Sequence, residues 1–204
     1  MLNPASSLAS LWLIVLRLVE LHGIDPRQFR QEVGIPAETL RDVNARLPSR
    51  LVDIAFAKAA ALIPDPAFAL RAGECWHPSN LGTMGYAWLS SRTLHTALKR
   101  LERFGCILSN RATYRCVDKP AGVHFVLEHG RGDTPIGHAI ADSTLSLLLS
   151  MCRTNYGGKL NAAALCLRRQ EPADAQPWRR LFGCDVQFGS LEDNLVLDRD
   201  TVDT

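Results

Sequence analysis

The chain has very little charge of either sign in excess: 23 basic against 21 acidic residues, a formal net charge of +2. A domain that grips nucleic acid ordinarily carries a strong basic excess, so this near-balance argues against the chain binding DNA by itself. Closely spaced cysteines are also lacking. The six fall at positions 75, 106, 116, 152, 166 and 184, and no CxxC pair occurs. Met1 to Ser7 contains no Lys or Arg, so the basic start of a secretion signal is missing and free thiols in a reducing compartment are expected. Leu8 to Leu21 is nearly all apolar but is broken by Ser10, Arg17 and Glu20. A membrane span needs about 20 apolar residues, so no membrane partner and a cytoplasmic location are expected. This run reads as a helix capped by Ser6 or Ser7, buried in the core or shared with another subunit. There is no GxSxG, Walker A, HExxH or GxGxxG motif. Cys75 and His77 lack further ligands at a familiar spacing. The expectation is therefore a non-enzyme, with no catalytic residue, no metal and no cofactor.

What is present is ordinary globular material, 47% hydrophobic and 22% charged, enough to bury a core without disulfides or metal. Residues 8 to 74 read as helical. A helix stops at Gly23, and Asp25-Pro26 starts another with Asp as N-cap and Pro at N1. Pro36 opens a short turn of helix, and Pro48-Ser49 begins a longer helix ended by Pro64 and Pro66. Phe68 to Ala72 reads as a further short helix. Cys75 to Ser91 holds two glycines, Gly82 and Gly85, which imply tight packing or a bend. A helix from Thr93 to about Leu108, capped by Ser90 or Ser91, comes next. Strands from Arg111 to Val117 and Val123 to His129 are joined by a five-residue connection. Ile136 to Tyr156 is a long apolar helix ended by Gly157-Gly158. Ala162 to Leu167 reads as a strand, Ala175 to Phe182 as a helix with Gly183 beyond its end, and Val186 to Phe188 and Asn194 to Leu197 as closing strands. Helices first and strands later indicate an α+β fold: an N-terminal helical part, then a small mixed β-sheet with packed helices. The chain reads as one domain, with a helical subdomain over residues 1–74 as an option.

Candidate binding residues come from the hairpin and the glycine-containing segment. The polar hairpin face offers Arg111, Arg115 and His124, which could hold a carboxylate, for which Arg has bidentate geometry. Equally, that face could point to water. Tyr86, Trp88 and Tyr114 would pack the apolar part of a ligand, the alternative being plain core. Lys99, Arg100 and Arg103 form a cationic stripe best read as a solvated helix face. Ser143, Ser146 and Ser150 share one side of the long helix and fit close helix approach.

Three stretches carry a family resemblance. Leu81, Gly82, Gly85, Tyr86, Ala87, Ser90, Ser91, Thr93 and Leu94 form an LGxxGYA element followed by a Ser-Ser-x-Thr-Leu helix start. The opening apolar helix leads into Gly23-Ile24-Asp25. The closing segment carries Pro172, Trp178, Phe182, Cys184, Val186, Phe188, Asn194, Leu195 and Asp198. Together they resemble the N-terminal effector-binding, "arabinose-binding-like" domain of a subset of AraC-type transcription regulators. The resemblance implies a sensor of small molecules, commonly a homodimer, that controls DNA only through a C-terminal pair of helix-turn-helix motifs absent from these 204 residues. It leaves the effector open among amino acids, fatty acids and other small metabolites; an apolar acid or other carboxylate suits the chosen residues. The competing reading is a protein–protein interaction or dimerisation module without a ligand, its seam the apolar N-terminal helix.

Overall fold

The N-terminal strand settles how the chain begins. In the computed structural model, which describes residues 4–42, 44–156 and 160–203, β1 (Ser6–Leu8) pairs antiparallel with β2 (Arg46–Pro48). Leu8 also donates to Leu108 O at 2.8 Å, and Ser7 forms a bridge with Ser109. The expected helix cap at Ser6 or Ser7 is thus replaced by strand. Tertiary pairing on both sides satisfies the backbone groups that a helix would have satisfied internally. After one 3-10 turn, α1 (Trp12–Leu21) follows. Its Trp12, Ile14, Leu18 and Val19 are buried within the chain's own core, while Leu13 and Leu21 are exposed.

Local signals set the next elements. The Asp25 side chain accepts from Arg27 N at 2.8 Å and Pro26 occupies the first turn of α2 (Pro26–Val33), which ends at Gly34 with φ +84°. Of the turn expected after Pro36, only a 3-10 turn at Thr39–Arg41 forms. α3 (Arg50–Leu62) then buries Leu51, Ala55, Phe56 and Ala59 on one face. A 3-10 stretch, Phe68–Glu74, lies on the long helix to come. A Cβ at Gly73 would stand 2.8 Å from Ser146 O, so glycine permits the close approach there.

The segment with Gly82 and Gly85 holds more structure than a bend. A 3-10 turn at Pro78–Leu81 runs into α4 (Thr83–Leu89). A Cβ on Gly85 would lie 2.0 Å from Pro78 O, so this crossing tolerates only glycine. α5 (Leu94–Phe104) is capped by Thr93, which accepts from Thr96 N at 3.1 Å. Ser91 instead donates to Ala87 O at 2.8 Å. The expected helix to Leu108 stops earlier, and a 3-10 turn covers Gly105–Ile107.

The main sheet has strand order β3-β4-β7-β5-β6. β3 (Thr113–Lys119) and β4 (Gly122–Glu128) pair antiparallel. Their connection is two residues, Pro120-Ala121, because Lys119 and Gly122 still pair. After α6 (Pro135–Tyr156) come β5 (Ala164–Cys166), α7 (Gln176–Phe182), β6 (Val186–Gln187), β7 (Asp193–Asp198) and the short α8 (Arg199–Val202). β5 and β6 are parallel and the remaining sheet pairs antiparallel. Gly183 takes φ +68° beyond α7, as expected. The glycines expected to end α6, Gly157 and Gly158, lie outside the described residues. The fold is α+β, with helices before the sheet and helices packed on it.

Two apolar clusters fill the interior. One gathers the inner face of the sheet, α4, α5 and most of α6. The other gathers α1, α2, α3 and the 3-10 stretch. α6 serves both: Leu145 and Leu149 belong to the sheet cluster and Ala139 and Ile140 to the helical one. The site lies where the two meet.

Candidate functional site

Strand alternation decides which side chains reach the junction. Tyr114 stands opposite Leu127 and Cys116 opposite Phe125, so all four point to the inner face. Beyond Tyr114 and Leu127 the packing is incomplete, and a cavity of about 160 Å³ remains. α1 contributes Trp12, Val15 and Leu18 to its wall, α3 contributes Val52 and Phe56, and α6 contributes Ile140, Ser143, Thr144 and Leu147. Ser7 of β1, Ser109, His129 and Arg131 supply polar atoms. No Asp or Glu lines it. An engineered apolar cavity of about 150 Å³ holds benzene, so this space suits a ligand with a body of that order.

One polar cluster borders the cavity. Asp53 on α3 accepts from Arg131 Nε at 2.7 Å through one oxygen and from Arg111 Nη1 at 3.0 Å through the other. Arg131 also donates through Nη1 to His129 O at 2.7 Å, and its side chain is 9% exposed. Burial works against the charge on Arg131 and Asp53 opposes that loss. Two guanidinium groups facing one carboxylate leave one positive charge in excess.

His129 is held for structure. Its Nδ1 accepts from Arg131 N at 3.2 Å, which puts the ring proton on Nε2, 3.3 Å from Asp193 Oδ2. With both ring nitrogens engaged in the buried core, the imidazole has no free position from which to activate a nucleophile.

The six sequence-chosen residues do not converge on this cavity. Tyr114 lines it, stacked on Phe125 at 5.6 Å between centroids. Burial raises its phenol to about 12. Arg111 sits behind it on Asp53 and Gly130 O. Arg115 and His124 lie on the opposite face of the sheet. Arg115 pairs with Glu192 at 2.5 Å, half exposed, and His124 lies near Asn194. Trp88 is fully buried in the sheet cluster, its indole donating to Met151 O at 3.1 Å. Tyr86 is 59% exposed. The residues that sequence reading passed over are Ser7, Trp12, Arg131 and Thr144. Arg131 was legible only as a cation in the loop between a strand and a long apolar helix.

Other candidates resolve into local structure. Cys75 Sγ donates to Arg71 O, and His77 caps the Pro78 turn. Among the described residues no His, Cys, Asp or Glu cluster suits a metal. Burial raises the thiols of Cys116 and Cys152 to about 12, far from the reactive range. Lys99 holds Cys116 O and Arg100 holds Ala87 O, so two members of the cationic stripe act as braces. A further depression of about 300 Å³ beside Pro64, Pro66 and His138 includes Arg169, whose Nη1 pairs with Asp142 while its buried Nε makes no hydrogen bond.

A protein-family profile described as the N-terminal arabinose-binding domain of AraC transcription regulator matches residues 23–204. The chain belongs to this family. A curated relative, the ornithine utilization regulator of Pseudomonas aeruginosa, is 25% identical over 183 residues, covering 85% of this chain and 51% of the relative. The crystal structure of the transcriptional regulator CdpR from Pseudomonas aeruginosa superposes with a TM-score of 0.67 at 16% identity, covering 94% of this chain and 55% of that one. The chain thus spans about half the length of each. The CdpR likeness speaks for the fold, and family membership carries the regulatory role. The cavity sits at the junction of the two apolar clusters of this AraC-type regulatory domain.

Proposed function

We propose that this chain senses a small apolar molecule in the cavity between its helical part and its sheet, and that occupancy biases the action of a helix-turn-helix module elsewhere in the regulator. The observation that carries this reading is the cavity itself, an apolar space of about 160 Å³ in a family of regulatory domains. A ligand acts here by differential affinity for two arrangements of the chain, and no bond is made or broken. A cytoplasmic setting and a homodimer accompany the reading. In its support, no helix among the described residues is long and apolar enough to cross a membrane.

The relative at 25% identity is named for ornithine utilization. Ornithine carries two ammonium groups, and no acidic side chain lines this cavity to receive them. A buried unpaired charge is costly, so the effector proposed here is of another class. The interaction-module reading is weaker, because α1 spends Trp12, Ile14, Leu18 and Val19 on the chain's own core.

The test is a thermal-shift and NMR titration of the chain with small apolar molecules, toluene included, beside a Val52→Phe variant whose larger ring occupies the cavity. Binding stabilises the native state by about 2.7 kcal/mol at a hundredfold excess over Kd. The expected result is a shift in the wild type that the variant loses. No shift with any probe would remove the sensing reading.

A further inference from the structure

Five side chains on the cavity wall carry polar atoms without a protein partner. Ser7 Oγ is buried and makes no hydrogen bond. The indole N–H of Trp12, the hydroxyls of Tyr114 and Thr144, and Nη2 of Arg131 hydrogen-bond to no described residue. Of these atoms only Ser7 Oγ is fully buried; the other four make no protein hydrogen bond on an otherwise apolar wall and are free to meet a ligand. The indole and the guanidinium only donate, and hydroxyls can donate. The partner must therefore be rich in acceptors. The excess positive charge of the Arg111–Asp53–Arg131 cluster calls for one negative charge. Ser7 belongs at this end of the cavity: it bridges to Ser109, whose hydroxyl lies 3.4 Å from Arg111 N.

We infer that the cavity takes a monocarboxylate with a short apolar body, its head on the free Nη2 of Arg131 and its tail among Trp12, Phe56 and Leu147. This rests on the sensing reading above and adds the class of ligand and the anchoring residue. Asp53 becomes the ligand's competitor, because both carboxylates draw on one guanidinium. Asp53 lies on α3 and Arg131 in the loop after β4. Occupancy therefore loosens a link between the helical part and the sheet.

Calorimetry with hexanoate and its neutral isostere hexanamide tests this. A charge-assisted contact to Arg131 makes hexanoate bind about tenfold to a hundredfold more tightly than the amide. Arg131→Gln removes that preference and leaves amide binding in place. Asp53→Asn tightens hexanoate by about threefold to tenfold without helping the amide, since the competing charge is gone. Equal affinity for acid and amide in the wild type would overturn the carboxylate inference while leaving the sensing reading intact. So would hexanoate binding that survives Val52→Phe, which would place it elsewhere. Failure of hexanoate, hexanamide and toluene alike would overturn both.

Discussion

Two aspartates in this domain meet arginine in opposite ways. Asp142 on α6 is 1% exposed. One oxygen accepts from Trp178 Nε1 at 2.8 Å and the other from Arg169 Nη1 at 2.5 Å. The Arg169 guanidinium also lies 4.4 Å from the Trp178 ring centroid. One carboxylate meets one cation, beside the depression lined by Pro64, Pro66 and His138. Asp53 is partly exposed and serves two arginines, of which Arg131 lines the cavity. The first cluster is balanced in charge, although Arg169 Nε is left without a hydrogen bond, and it ties α6 to the segment after β5 and to α7. The second is left one charge short of balance next to unpartnered donors. The contrast is therefore one of charge balance: one carboxylate for one cation in the first, one carboxylate for two cations in the second.

Substitution can break this comparison. The largest effect is expected from Asp142→Ala, which removes the partner of the mostly buried Arg169 guanidinium and the buried Trp178 indole and costs about 3–5 kcal/mol in urea unfolding. A loss under 1 kcal/mol would mean that the Asp142 pairs do not hold the fold. Asp53→Ala should cost only about 1–2 kcal/mol, because both arginines retain backbone acceptors and partial hydration. Equal losses from the two substitutions would erase the distinction.

The pH dependence sharpens it. Burial lifts the Asp142 carboxyl to about 7 against the pull of Arg169. Its pKa in the folded chain therefore lies above the unfolded value near 3.8. Between these values the native state holds the extra proton, so this group's contribution is complete below about 4 and is lost as pH rises towards 7. The slope reaches at most about 1.4 kcal/mol per pH unit. Asp142→Asn should flatten the stability profile across that window. The smallest effect belongs to Arg115→Ala, on the outer sheet face. Its exposed pair with Glu192 is worth under about 1 kcal/mol, and hexanoate affinity should stay within twofold. A tenfold loss there would move the binding site to the polar face.

Much of the fold was legible in short-range signals. Asp25-Pro26 and Gly34 bound α2, Gly183 ends α7, and alternation from Thr113 to Glu128 gives the hairpin. The family was legible too, through Gly85, Tyr86 and Trp178 among others. The first strand was not legible, because Ser6–Leu8 is a strand only by virtue of Arg46–Pro48 and Leu108. The binding residues chosen from the sequence followed a sound rule about polar hairpin faces. Yet that face turns away from the cavity, and a single sequence offers no sign of where packing stops short.

The sequence by itself determined the class of structure and the local elements, since caps, glycines and periodicity act within a few residues of one another. Only the tertiary structure decided that Ser7, Trp12, Tyr114, Arg131 and Thr144, drawn from five separate segments, share one wall. It also decided that Asp53 reaches across 58 and 78 residues to Arg111 and Arg131. The physical reason is that a cavity is a residue of how whole faces fit, and a face has no local signature of what it fails to touch.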